Sequence, residues 1–201
     1  SCPGISANPA LGALGNYGGA TPTLALGADS AAIDAAVTAN CPSTDQRGQP
    51  RNDLHCDSGA YELKYPDSPT VIRSISSTIT TTFGPALLSL QRDAAFTDPG
   101  MMTVTKEAWS RPGAESINVL WAITPTVTSG FSLTLQLCIT PTDRHGLSEG
   151  SLFFYRSDGI TYTKISTAPT WSTVNTYRCA ALSGITQLSR WTLATDTPTA
   201  V

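Results

Sequence analysis

Lysine, histidine and methionine are scarce in this chain. Its 201 residues hold three Lys against nine Arg, with two His and two Met, and only 13% are charged. The net charge of −3 leaves no basic footprint for nucleic acid and no polybasic patch for an anionic membrane. No apolar run reaches the roughly 18 residues that mark a transmembrane segment. None of the five cysteines falls in a CxxC pair, which removes zinc-ribbon and thioredoxin readings. HExxH, P-loop and GxGxxG patterns are missing too, and no serine stands out as a nucleophile. The chain therefore reads as non-enzymatic and without a cofactor.

What is abundant is Thr and Ser, together roughly a quarter of the chain, a composition that suits strands with hydroxyl-rich surfaces. The texture changes near "YELKYPDSPTVIRS". Residues 1–65 are rich in Gly, Ala and Asn, with "GNYGGATPT" dense in turn signals, whereas residues 66–201 carry alternating Thr- and Val-rich runs. "INVLWAIT", "FSLTLQLCIT", "SLFFYRS", "ITYTKIS" and "TYRCAAL" are predicted strands, separated by turns such as "TDRHG" and "RSDG". That spacing predicts an antiparallel β-sandwich. In "FSLTLQLCIT" Phe131, Leu133, Leu135, Leu137 and Ile139 share one face, and Cys138 lies on the other with Thr134 and Gln136. "DSAAIDAAVTA" is the most helix-like stretch, although its small residues suit a tight β-helical coil equally well.

Cys41 and Cys56 bracket a short polar loop, and Cys138 and Cys179 lie within strand-like runs. Two staples and an unpaired Cys2 are the economical arrangement, and Cys138–Cys179 is favoured over other partners. Such staples imply an oxidising, extracytoplasmic compartment. A chain that starts "SCPG" without methionine reads as processed or excised.

The first third carries a long ordered pattern: Asn8-Pro9, Leu11-Gly12, Leu14, Asn16, Gly18-Gly19, Thr21-Pro22-Thr23, Ala32-Ile33-Asp34, Asp45-Gln46-Arg47-Gly48, Arg51, Cys56-Asp57 and Gly59-Ala60-Tyr61-Glu62. It resembles the terminal coils of the right-handed parallel β-helix in bacterial choice-of-anchor Q domain surface proteins. The remainder is similar to β-sandwich modules that follow such helices. The resemblance implies an all-β, two-part chain: β-helix terminal coils with a disulfide-clasped cap over 1–65, then a sandwich over 66–201. It also implies a front edge that preceding rungs, few in this chain, would otherwise cover.

"TDQRGQPRNDLHCDSGAYE", residues 44–62, is the densest chemistry. As a clasp, it would close the last coil, with Arg47 and Arg51 each forking onto carboxylates or several carbonyls, with Asp45, Asp53 and Asp57 as the natural acceptors, and with Asp34 capping the following turn. As a metal site, Asp45, Asp53 and Asp57 are conceivable calcium ligands, but His55 lacks a repeated ligand spacing and no EF-hand pattern is present. His145 with Asp143 and Glu149 reads as a solvated turn rather than a catalytic site. Trp121 and Trp191 read as core. Trp171, in a loop-like setting, is the candidate ligand contact, and "SSTITTTF" is a strand or an edge offered to a partner. The expected function is a cell-surface or extracellular structural subunit that assembles with copies of itself or with another surface protein, Cys2 being available to bridge subunits. The alternatives are a glycan- or surface-binding adhesin module, or the non-catalytic tail of a β-helix polysaccharide-degrading enzyme.

Overall fold

Alternation of apolar and polar residues organises most of this chain into short antiparallel strands. The computed structural model describes residues 7–51, 55–63, 70–75, 80–108, 116–144, 146–158 and 160–195. Cys2, Asp53, Pro66, Pro69, Trp109 and His145 lie outside the described residues. The strands are β1 (Leu11–Gly15), β2 (Thr23–Leu26), β3 (Thr70–Ser74), β4 (Thr81–Phe83), β5 (Leu88–Arg92), β6 (Met101–Ala108) and β7 (Val119–Pro125). β8 (Leu133–Ile139), β9 (Phe153–Ser157), β10 (Tyr162–Lys164), β11 (Thr170–Val174), β12 (Tyr177–Ile185) and β13 (Arg190–Ala194) follow. A single helical turn, α1 (Pro141–Arg144), follows β8.

Two antiparallel sheets form the sandwich. One is six-stranded, in the order β10-β9-β13-β7-β6-β3; the other is five-stranded, in the order β11-β12-β8-β5-β4. Their inner faces meet in one apolar core, where Trp121, Phe154 and Trp191 of the first sheet pack with Leu88, Leu135 and Leu137 of the second. Trp121 and Trp191 are both core residues, as their settings predict. The Trp121 indole N–H donates to Ala86 O at 2.6 Å, which satisfies its polar edge inside the core.

The five predicted strands become β7, β8, β9, β10 and β12. The alternation in β8 holds: Leu133, Leu135 and Leu137 are fully buried, while Gln136 faces outward to bond Ser89 and Ser172. Cys138 shares that outward face and stands directly opposite Cys179 on β12, with Cα atoms 4.0 Å apart in a disulfide. Leu87, Val174 and Tyr177 cover the bridge, so both cysteines are fully buried. On the chain-entropy model a loop of this span contributes about 4 kcal/mol.

The first third differs from a parallel coil. β1 and β2 pair antiparallel, and among the described residues no strand pair is parallel. The loop over 16–22 reverses the chain before a second strand can stack in the same direction. "DSAAIDAAVTA" forms turns rather than a helix, because Ile33 is drawn wholly into the core and Asp34 takes a left-handed φ of 55°. This segment joins the sandwich core: Leu26, Ile33, Tyr61 and Leu63 are continuous with it. Backbone bonds tie it down as well, including Ile72 N–H to Ala28 O at 2.8 Å.

Candidate functional site

The polar stretch 44–62 folds back on itself because its carboxylates find backbone N–H donors nearby in the chain. Asp45 is buried and accepts from four groups. Its Oδ1 takes the N–H of Arg47 (2.8 Å) and of Gln49 (3.0 Å), and its Oδ2 takes the N–H of Glu62 (3.0 Å) and Nε of Arg47 (2.8 Å). Burial alone would raise its pKa, but these donors together hold it below the ordinary carboxylate value. Arg47 also donates to Glu62 O at 2.7 Å and lays its guanidinium over the Tyr61 ring, 3.6 Å from the centroid. Tyr17 meets Tyr61 edge-on at 5.7 Å. Gly19 permits this stack: a Cβ there would lie 3.1 Å from Arg47 Cα.

Arg51 forms the second half of the clasp. Its guanidinium donates to Glu62 Oε2, to Asp57 O (3.0 Å) and to Gly59 O, and its side chain is nearly inaccessible. Glu62 Oε2 additionally accepts Asp57 N–H at 3.0 Å. The Asp57 carboxylate takes the N–H of Asp34 at 2.8 Å and of Leu63 at 2.6 Å. Burial pushes the Asp57 carboxyl up to about 7; those two N–H groups oppose the rise, and the charges of Glu62 and Asp34 add to it. Cys41–Cys56 pins the loop, with Cα atoms 6.3 Å apart, and closing fifteen residues contributes about 3 kcal/mol on the chain-entropy model.

Asp34 links the clasp to the sandwich. Its Oδ2 accepts from Thr82 Oγ1 (2.7 Å), Gly84 N–H (3.0 Å) and Arg73 (3.5 Å), and Arg73 also donates to Ile33 O. Burial raises the pKa of Asp34 despite these donors. So Asp34, Asp45, Arg47, Arg51 and Asp57 come together in one network. Glu62, Arg73 and Thr82 belong to it too. Arg73 and Thr82 carry no local sequence signal, because they reach the site only through the packing of β3 and β4. Among the described residues no group of three or more His, Cys, Asp or Glu side chains is placed to hold a metal ion.

Beside the clasp lies an open groove of about 570 Å³, lined by Leu11, Leu14, Leu24, Leu26, Tyr61 and neighbouring residues. In a regular strand Leu11 and Leu14 would point to opposite faces. A bulge between them adds one residue and turns both leucines to the face that carries Leu24 and Leu26. Leu26 is buried, but Leu14 remains 68% exposed, with Leu11 at 47% and Leu24 at 39%. This apolar face was not legible beforehand, since the bulge breaks the period-two pattern.

Trp171 sits in β11, an edge strand, rather than in a loop; it is half-buried and packs against the core. β4, the described end of "SSTITTTF", is the opposite edge of the same sheet. Asp143 pairs with Lys106 and Glu149 with Arg178, so these two acids serve separate partners. One serine does stand in a pattern tied to nucleophiles. Gly146-Leu147-Ser148-Glu149-Gly150 spells GxSxG, but among the described residues the elbow context of strand, sharp turn and helix is lacking. Ser148 is extended (φ −77°, ψ 133°) and leads into a single 3-10 turn. No helix among the described residues is long and apolar enough to cross a membrane. No family model matches the chain, and no curated protein or solved structure matches it either.

Proposed function

We propose that this chain is a non-enzymatic structural subunit of an extracellular or cell-surface assembly, and that it packs against a second copy through the leucine face of the β1–β2 ribbon. The observation that carries the reading is the exposure of Leu11, Leu14 and Leu24 on one bulged ribbon. A contiguous apolar patch is unfavourable in water and favourable against a like patch. The clasp supports it by holding one wall of the groove: Arg47 stacks on Tyr61, which lines the groove. Two disulfides suit an oxidising compartment outside the cytoplasm. The ordered residue pattern of the first third is the basis for proposing kinship with choice-of-anchor Q surface proteins, in which this ribbon would adjoin stacked coils.

Light scattering across a wide concentration range tests the assembly. Self-association that Leu14→Asp abolishes, without loss of fold, is the expected result. A monomer at every concentration, unchanged by Leu14→Asp, would sink the proposal. A second reading, glycan recognition, draws on a different feature. A groove of about 380 Å³ at the ends of β7, β9 and β13 gathers Arg156, Asp158, Gln187 and Ser189 beside Pro125 and Leu188, a mixture of donors and acceptors with apolar surface suited to sugars. Binding on a glycan array that is lost on Arg156→Ala would favour it over assembly.

A further inference from the structure

β6 alternates strictly, with Met102, Val104 and Lys106 pointing inward and the residues between them more exposed. Two of these inward positions hold ordinary core residues. The third holds a lysine, 1% exposed, one of only three lysines in the chain. Lys106 stands opposite Trp121 of β7, with its Nζ 5.6 Å from the indole ring. Nζ donates to Asp143 Oδ2 at 3.1 Å, and Asp143 belongs to α1, the turn that follows β8. The pair therefore spans the sandwich from the six-stranded sheet to the connector leaving the five-stranded one. Asp143 is held firmly: its Oδ2 accepts Thr140 N–H at 2.9 Å and its own N–H donates to Thr140 Oγ1 at 3.0 Å.

An ion pair in this setting is costly. Withdrawing an ammonium and a carboxylate from water is unfavourable, and their attraction does not always recover the loss. Burial lowers the pKa of Lys106, with Asp143 opposing the shift, which favours the neutral, nucleophilic amine. A covalent amide would remove both charges. Fixed contact between nucleophile and carbonyl is worth effective concentrations of about 10⁵ M or more.

We propose that Lys106 and Asp143 condense to an intramolecular isopeptide bond that staples β6 to the turn after β8. Proton transfer within the pair converts the ammonium and carboxylate into amine and carboxylic acid. Nζ then attacks Cγ, and one carboxyl oxygen leaves as water, carrying that proton and a second one from the nitrogen. The remaining oxygen becomes the amide carbonyl. The Asp143 side chain keeps 16% exposure, which gives the water an exit. Neither a metal nor a redox partner is needed.

The test is the intact mass of the folded full-length chain, measured after denaturation and thiol reduction. The expected mass is one water below the sequence mass, with a branched fragment joining the peptides of Lys106 and Asp143. Lys106→Arg, which keeps the charge but cannot condense, should restore the full mass. Asp143→Asn should lose ammonia instead of water, a signature that a merely structural ion pair cannot produce. Full sequence mass in the native chain overturns the proposal. So does a water loss that fragment ions place at Asp158–Gly159, where succinimide formation has the same mass.

Discussion

The strongest consequence of the clasp concerns Asp45. Its carboxylate satisfies three backbone N–H groups and the Arg47 guanidinium from a fully buried position. Asp45→Ala leaves Arg47 in contact with Tyr61 but without its counter-charge, and leaves the buried Glu62 N–H without its acceptor. Breaking a buried pair from one side costs about 3–5 kcal/mol. Gln46 and Gly48 beside the site are exposed, so water can reach part of the turn backbone, and about 3 kcal/mol is the fitting figure. Asp45→Asn keeps the shape but offers an NH₂ where donors already point, and should cost about 2 kcal/mol. The assay is denaturant unfolding with the disulfides intact, followed by far-ultraviolet circular dichroism and by the near-ultraviolet signal of the Tyr17–Tyr61 pair. Against a typical margin of about 5–15 kcal/mol, the alanine loss is easily resolved. A loss below about 1 kcal/mol would show that the clasp residues are solvated and refute the reasoning.

Asp57 makes stability depend on pH in the opposite sense to a salt-bridged acid. Its carboxyl titrates near 7 in the fold against an ordinary 3.8, so its contribution is fully present below about 3.8 and is lost as pH rises through about 7. The linked change is at most about 4 kcal/mol, and unfolding measured across this range should flatten in Asp57→Asn. Asp45, whose pKa is lowered, acts the other way: its contribution is present above the unfolded value and fades as pH falls through the lower folded one. The two disulfides should separate under mild reductant. Cys41 is only partly buried and should yield to alkylation first, whereas Cys138 and Cys179, both fully buried, should resist until the sandwich opens; simultaneous labelling would contradict this. Gly100→Ala should destabilise by about 1–3 kcal/mol in thermal melts, because φ is +76° there and a Cβ would strike Thr126 Oγ1.

Much of the sandwich was legible in the chain. Strict alternation in β8 and the tryptophans of β7 and β13 are local signals, and each led to the right element. The clasp was legible in part: Arg47 pairs with its neighbour Asp45, whereas Arg51 takes the Glu62 carboxylate and backbone oxygens of Asp57 and Gly59 rather than the Asp57 carboxylate. Trp171 was harder, because "TWSTV" pairs with β12 along one edge only and its alternation is weak.

By itself, then, the sequence determined an all-β chain with two staples and a dense polar loop, because period-two patterning and cysteine placement act over short ranges. Tertiary structure decided the rest. The antiparallel course of β1 and β2 depends on the loop over 16–22 and on a bulge that no pattern announces. The partners of the Asp34 Oδ2 arrive from β3, β4 and the turn directly after β4, some 39 to 50 residues away. Lys106 and Asp143 are 37 residues apart, and only the packing of β6 against the turn after β8 puts an amine beside a carboxyl in the core. Such contacts depend on which surfaces are buried together, and local sequence carries no record of that.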